Sequence, residues 1–228
     1  MILAVCGLTR EAEIAGADGV IAVAGGGDAV GLQKKLDALH GDITGVISIG
    51  LGGALSPHLK VGDVVIGERV VAGAEVYPCD SNWRVLLAAR TGATHQGAIT
   101  GSDTVIASAA AKAELFHTSG GALVVDMESQ VAARFAAKRG LPLAVLRVIS
   151  DDARHALPPA ALVAMQPDGS IATGRVLWSL AKNPLQLPAL IRTGRGSSKA
   201  FKELLRCRGR LGRGLGGSLG GLLGGVDL

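Results

Sequence analysis

Acidic side chains directly follow two short apolar runs near the middle of the chain. Asp126 and Glu128 come after the first run, and Asp151 and Asp152 come after the second. An alanine-rich segment joins the two runs, so residues 122–154 predict a strand, a helix and a second strand. Ligands of a parallel α/β sheet lie outside the carboxyl ends of its strands, and we therefore expect these acids to share one pocket. Carboxylates in such a pocket can bind hydroxyl groups or exchange a proton.

Glycine or short polar residues end other apolar runs, at Gly7, at Gly50 and at Gly101–Asp103. The run Gly50-Leu51-Gly52-Gly53 is not a dinucleotide fingerprint, because the third glycine of that motif would fall at Leu55. It predicts instead a glycine loop after a strand, whose backbone can approach a phosphate or a ribose closely.

Each acid also has an ordinary structural explanation when it is taken alone. A carboxylate such as Glu128 at the start of a helix is favoured by the helix dipole. Asp151 and Asp152 could cap a helix after a strand. The functional interpretation therefore depends on the acids converging from separate strands.

The alternation of strands and helices predicts an α/β fold. We expect a single-domain, three-layer α/β/α arrangement with a central mixed, mostly parallel twisted sheet and a helical C-terminal third. Strands are predicted at residues 2–6, 19–24, 46–49, 64–66, 69–72 and 97–100 and in the central unit, and helices at 28–39, 82–90, 107–116, 157–165, 169–182, from 184, and 197–207. The domain is expected to cover residues 1–208, followed by a glycine-rich, disordered tail over residues 209–228.

Composition limits the class of protein further. The chain has 228 residues, 48% of them hydrophobic, which is enough for a full core. No apolar run reaches the roughly 18 residues of a membrane helix. The three cysteines form no paired motif and no His or Cys cluster has ligand spacing, so we expect no disulfide framework, no metal and a cytoplasmic location. The net charge of +4 arises in residues 192–213, which carry eight Lys or Arg and one acid.

Three motifs resemble the nucleoside phosphorylase and nucleosidase superfamily. Residues 50–65 are similar to its glycine loop and following strand, Val125–Ser129 to its V-E-M-E-A ribose motif, and Val148–Asp151 to its catalytic I-S-D ending. Residues 155–162, 166–169 and 183–190 further resemble the hopanoid-associated phosphorylase branch, whose members are thought to remove adenine from adenosylhopane. The resemblance implies cleavage of the N-glycosidic bond of an adenine nucleoside, no cofactor, and a homo-oligomer.

The resemblance also implies a role for each matching residue. Asp151 would donate a hydrogen bond to purine N7 of the leaving adenine. Glu128 would bind the ribose hydroxyls and stabilise the positively charged sugar. Substrate binding would also involve Met127 beneath the sugar, with Asp126, Gly52 and Gly53. The nucleophile, phosphate or water, would be held by Gly7, Arg10, Gly50 and Leu51.

Two departures from the family pattern leave the nucleophile open. Leu51 stands where the superfamily often has a Ser or Thr that contacts the nucleophile, and Ser48 stands where hexameric phosphorylases have an Arg. Hydrolysis by water is therefore an alternative to phosphorolysis. In nucleosidases a Glu near the N-terminus activates water, and Glu11 or Glu13 could serve here.

The base-binding position also differs from the nucleosidase pattern. Val105, with Ile106 beside it, replaces the Phe that stacks on adenine in nucleosidases. Apolar contact with the base would remain, but aromatic stacking would be lost. The sequence therefore leaves open a lipid-nucleoside phosphorylase, a methylthioadenosine or adenosylhomocysteine nucleosidase, a generic purine nucleoside phosphorylase, and a nucleoside-binding protein without activity.

The basic C-terminal segment has two explanations. Its charge, with apolar residues before it, could dock the protein at the inner membrane surface, where a lipid nucleoside would be anchored. Alternatively, these helices pack on the sheet or on a neighbouring subunit. Nucleic acid is not an expected partner, because the segment lacks interleaved aromatic residues and a known reading module.

Overall fold

The computed structural model describes residues 1–166 and 168–212. In these residues eight strands form one sheet. The strands are β1 (Ile2–Cys6), β2 (Val20–Ala24), β3 (Gly45–Ala54), β4 (Val64–Ala72), β5 (Glu75–Pro78), β6 (His95–Gly101), β7 (Val124–Asp126) and β8 (Leu143–Asp151). The helices are α1 (Thr9–Ala15), α2 (Ala29–Asp37), α3 (Ser81–Thr91), α4 (Ala109–Thr118), α5 (Ser129–Lys138), α6 (Pro159–Leu162), α7 (Thr173–Lys182) and α8 (Leu187–Leu211).

Five of the strands close into a ring in the order β3, β7, β6, β4, β8 and back to β3. β1 and β2 extend the sheet from β3, and β5 extends it from β4. Most pairs are parallel, but β3–β7, β4–β5 and β4–β8 are antiparallel. The sheet is therefore mixed and mostly parallel, as the sequence predicts.

The sheet is the middle of three layers. Successive side chains of a strand point to opposite faces, so Leu3 and Val5 pack in one apolar cluster while Ile2 and Ala4 pack in the other. Helices α2 and α5 cover the first face, and α1, α3 and α8 cover the second. The prediction of a single α/β/α domain is confirmed.

The prediction that β7 and β8 are strands of one parallel sheet that end at the same edge is wrong. β8 pairs parallel with β3, whereas β7 pairs antiparallel with β3 and does not pair with β8. The acids nevertheless meet, because Asp126 follows the Val125–Gly53 pair while Asp151 lies opposite Gly53 on the other side of β3. Ring closure, rather than a shared strand direction, brings them together.

The glycine run after residue 49 is part of β3 and not a loop. Gly50 and Gly52 lie where a Cβ atom would collide with the Glu11 carboxylate and the Val124 side chain, respectively. The glycines therefore allow close packing across the strand, and they do not form a turn.

The C-terminal third is helical but divided differently from the prediction. The helix predicted at 157–165 is the single turn α6, and α7 begins at Thr173 instead of residue 169. The two helices predicted from 184 and at 197–207 are a short 3-10 turn followed by the single helix α8, which continues through Gly209 to Leu211. The rest of the tail predicted to be disordered, residues 213–228, lies outside the described residues. Among residues 1–166 and 168–212, no helix is both long enough and apolar enough to cross a bilayer.

Candidate active site

A cavity of about 440 Å³ opens where β3, β7 and β8 meet. Glu11, Asp126, Glu128 and Asp151 all line it. Their carboxylates come from α1, from β7 and the start of α5, and from β8. The convergence of acids from separate strands, on which the functional interpretation depends, is present in the fold.

Asp126 organises the start of α5. Its Oδ1 accepts hydrogen bonds from the backbone N–H groups of Glu128 (2.8 Å) and Ser129 (2.6 Å). Its Oδ2 accepts from the Ser129 hydroxyl (2.6 Å) and from Arg147 Nε (2.9 Å). Each oxygen thus has two protein partners, so Asp126 positions the start of α5 and also lines the cavity.

Arg147 is a fully buried cation at the centre of the acids. Besides Asp126, its guanidinium donates to the hydroxyls of Ser48 and Ser129. Burial alone would lower the pKa of the guanidinium, but the surrounding carboxylates outweigh burial and raise that pKa. One permanent positive charge therefore balances part of the negative charge of the pocket.

Glu128 is the acid most perturbed by this environment. It is 5% exposed and precedes α5, yet its side chain makes no capping hydrogen bond. Burial, followed by the charge of Asp126, raises the pKa of Glu128 from its ordinary 4.5 to about 8, although Arg147 opposes the rise. Because Asp126 accepts the N–H groups at the start of the helix, helix capping does not explain Glu128. A buried, weakly held carboxyl group in a cavity is typical of a functional residue.

Glu11 occupies a cradle of backbone amides. Its Oε2 accepts hydrogen bonds from the N–H groups of Gly7 (2.7 Å) and Leu8 (3.0 Å), and its Oε1 accepts from that of Leu51 (2.9 Å). Burial raises the pKa of Glu11, while Arg147 and these amides oppose the rise. The glycine-rich part of β3 therefore binds a carboxylate of the protein itself.

Asp151 stands apart from the other acids and has its own cation. Its Oδ2 accepts from the ammonium group of Lys112 on α4 (2.5 Å), and its Oδ1 accepts from the Ser150 hydroxyl (2.8 Å). The neighbouring Asp152 instead accepts the N–H groups of Arg154 and His155 in a local turn. Asp151 thus faces the cavity, whereas Asp152 stabilises the loop.

The remaining predicted residues divide into two groups. Met127, Val105, Gly52, Gly53, Gly7 and Leu51 line the cavity. Gly50, Ile106 and Arg10 do not. Gly50 is packed against Glu11 and Arg147, and Ile106 lines a smaller adjoining cavity. Arg10 lines a neighbouring cavity, and its guanidinium lies 4.5 Å from the centre of the Phe201 ring.

Sequence reasoning missed both buried cations of the site. Arg147 had a detectable signal, since a single charge within the buried run LAVLRVIS requires a partner. Lys112 had none, because a lysine in the helical stretch AAAKAE is ordinarily solvent-exposed.

The outer part of the cavity is apolar and is built by the C-terminal helices. Its wall includes Leu157, Ala160, Ala161, Leu162, Ala164, Met165, Ile171, Val176 and Leu190. These residues come from the loop before α6, from α6, from the loop before α7, and from α7 and α8. A ligand held by the acids would therefore extend an apolar part towards this wall.

The family model described as the phosphorylase superfamily matches residues 26–181, more than half of the chain. The chain belongs to the phosphorylase superfamily. The predictions of the fold and of an enzyme of the phosphorylase and nucleosidase type are thereby confirmed. No curated protein sequence compared with this chain matches it significantly.

Several solved structures share the fold at low sequence identity. A methylthioadenosine/S-adenosylhomocysteine nucleosidase from Streptococcus pneumoniae, in complex with 8-aminoadenine, is 17% identical with a TM-score of 0.59 over 90% of this chain and 99% of that one. A mutant methylthioadenosine nucleosidase from Helicobacter pylori with 5′-methylthioadenosine in its active site is 16% identical, with a TM-score of 0.57 over 90% and 96% of the two chains. Futalosine hydrolase from Helicobacter pylori is also 16% identical, with a TM-score of 0.59 over 91% and 97%. At this identity the likeness concerns the fold alone.

Proposed function

We propose that the protein hydrolyses the N-glycosidic bond of an adenine nucleoside. The observation that carries the proposal is the convergence of Glu11, Glu128 and Asp151 on one cavity of a phosphorylase-superfamily fold. Cleavage leaves positive charge on the sugar and negative charge on the base, so it needs a carboxylate at the sugar and a proton donor at the base. The methylthioadenosine nucleosidases among the structural neighbours support this reaction class.

Glu128 is assigned to the ribose and Asp151 to the base. No side chain among the described residues donates a hydrogen bond to the Glu128 carboxyl group, although the backbone N–H of Met127 interacts with it, so ribose hydroxyls can become its partners. Positive charge developing on the sugar would favour ionisation of this carboxyl group. Asp151, on the other side of β3, would donate a proton to adenine N7 while Met127 and Val105 provide apolar contact.

Water, rather than phosphate, is the proposed nucleophile. The amides of Gly7, Leu8 and Leu51, which could hold an anion, already bind the Glu11 carboxylate. A phosphate at the same place would be repelled by the carboxylates of Asp126 and Glu128. The Arg147 guanidinium, which could attract it, is already paired with Asp126. Glu11 is instead placed to accept a proton from water as the water attacks the sugar.

The apolar outer wall supports a nucleoside with a large apolar substituent at the sugar. Adenosylhopane, the substrate implied by the resemblance, is such a nucleoside, and we assign it as the substrate. A 5′-methylthioadenosine-type substrate is the alternative, because a methylthio group would also contact this wall. A generic purine nucleoside phosphorylase is disfavoured by the position of Glu11.

The protein would have to bind a lipid nucleoside at a membrane surface. Helix α7 has exposed apolar and basic side chains that favour binding to such a surface. This helix has no buried residue, and Leu177 and Trp178 are 61% and 65% exposed. Arg175 and Lys182 add positive charge on the same helix. Apolar and basic side chains together favour binding to anionic lipid headgroups.

Vesicle co-sedimentation tests this contact. The protein should pellet with anionic vesicles at low salt and be released at high salt. A Leu177→Ser/Trp178→Ser variant should remain in solution, whereas Val85→Ser, an equally exposed apolar residue on α3, should behave like the wild type. Failure of the wild type to pellet, or pelleting of the double variant, would remove the membrane contact from the account.

Adenine release tests the activity itself. The purified protein is incubated with adenosylhopane, 5′-methylthioadenosine or adenosine, with and without phosphate, and free adenine and the sugar product are quantified. We expect most adenine from adenosylhopane, independent of phosphate. Thermal stabilisation by these nucleosides without adenine release would instead identify a binding protein.

A further inference from the structure

Lys112 is a completely buried lysine in a helix whose other residues are exposed or only partly buried. Its side chain is 0% exposed, although α4 has no other buried residue. Burying an ammonium group without partners costs several kcal/mol, so such a lysine requires a specific reason to be there.

Within the described part of the chain, the hydrogen-bond partners of the Lys112 ammonium group lie at the end of β8 and in the loop that follows. Nζ donates to Asp151 Oδ2 (2.5 Å), to the Asp152 carbonyl (2.7 Å) and to the His155 carbonyl (3.3 Å). The carboxylate of Asp152 is meanwhile paired with the His155 ring at 2.7 Å. Lys112 therefore fixes Asp151 from behind, while Asp151 faces the cavity.

We propose that Lys112 is a positioning residue that enables Asp151 to act as the acid for the departing base. This inference rests on the proposed function. Lys112 holds one oxygen of Asp151 in place, which keeps the carboxyl group oriented towards the cavity.

The proton and electrons balance in one turnover. The Asp151 O–H bond breaks and an N–H bond forms on adenine, while the electron pair of the breaking glycosidic C–N bond stays on the base. The new Asp151 carboxylate is left beside the Lys112 ammonium. Water forms the new C–O bond to the sugar and loses a proton to Glu11, which releases it to solvent, and solvent returns a proton to Asp151 before the next turnover.

The test separates this role from simple structural support. Lys112→Met should lower kcat for adenine release about hundredfold while changing KM little, since general acids typically contribute factors of this size. Hydrolysis of 4-nitrophenyl riboside should change much less, because 4-nitrophenolate leaves without being protonated. The control is Lys138→Met, which removes an exposed lysine of α5 that pairs with Asp37 and should leave adenine release unchanged.

A double-mutant cycle gives the second readout. If Lys112 acts through Asp151, Lys112→Met should have almost no further effect in an Asp151→Asn background. Equal losses for both substrates, or additive effects in the cycle, would overturn the inference. Circular dichroism checks folding, and Lys112→Gln, which keeps N–H donors without the charge, replaces the Met variant if that variant does not fold.

These outcomes are distinct from failure of the proposed function. A wild-type protein that releases no adenine contradicts the proposed function and removes the basis of this inference. If the wild-type protein releases adenine and the folded Lys112→Met variant releases it equally fast, only the inference about Lys112 is contradicted.

Discussion

Replacing Glu128 by glutamine should stabilise the protein and at the same time remove most of its activity. In the folded protein the pKa of Glu128 is raised from 4.5 to about 8, first by burial and then by the charge of Asp126. The unfolded chain therefore loses its proton from this group near pH 4.5, whereas the folded protein keeps it until about pH 8. Stability due to Glu128 falls as pH rises between these two values and is constant above the upper one.

The size of the effect follows from the two pKa values. Each pH unit between them costs about 1.4 kcal/mol, so Glu128 destabilises the fold by roughly 3 kcal/mol at pH 7 and roughly 5 kcal/mol at pH 9. Glutamine does not ionise and avoids this cost. The stability difference between Glu128→Gln and wild type should be near zero at pH 4 and grow with pH.

Urea unfolding at a series of pH values measures this difference. Glu114→Gln, at an exposed position of α4, is the matched control and should show no such growth. Adenine release by Glu128→Gln should fall by about two orders of magnitude, because a neutral amide stabilises a positive sugar poorly. A stability difference that stays constant from pH 4 to pH 9 would refute the argument that Glu128 is a buried, perturbed carboxyl group.

Three further outcomes are expected. Since the ionised form of Glu128 is required, kcat/KM should rise as the pH approaches its pKa of about 8; a profile already flat at pH 6 would contradict this. Glu11→Gln should still fold but lose about two to three orders of magnitude in adenine release, because an amide cannot take a proton from water; activity above a tenth of wild type would exclude Glu11 as the base. Arg147→Met should lower the free energy of unfolding by about 3–5 kcal/mol in urea titrations, because it leaves Asp126 buried without its cation. Combining it with Asp126→Asn should recover part of that loss. No recovery would argue against the pairing of Arg147 with Asp126.

The sequence predicted the acids of the site better than their surroundings. Carboxylates after apolar runs were sufficient to suggest that Glu128 and Asp151 share a pocket, and both line the cavity. The reason for the prediction, a common parallel edge, was wrong. Which strands pair, and in which direction, depends on contacts distant in sequence, and the ring closed by β3, β7, β6, β4 and β8 leaves no local pattern.

Glycine was the residue most often misread. The run after residue 49 predicted a loop, yet it is strand, because only glycine leaves room there for Glu11 and Val124. The sequence predicted separate helices from 184 and at 197–207, yet the single helix α8 passes through Gly194 and Gly196. A side chain at Gly196 would collide with the Ser150 carbonyl, so that glycine permits α8 to pack against β8. The sequence alone does not distinguish a glycine that forms a turn from a glycine that allows close packing.

Incubation of the purified protein with an adenine nucleoside in ¹⁸O-labelled water tests the central claim most directly. We expect free adenine together with a sugar that carries ¹⁸O at the carbon from which adenine departed, at a rate that phosphate does not change. Formation of a sugar phosphate without the label would contradict the assignment of Glu11 and water. The absence of any adenine release from adenosylhopane, 5′-methylthioadenosine and adenosine would contradict the proposed function itself.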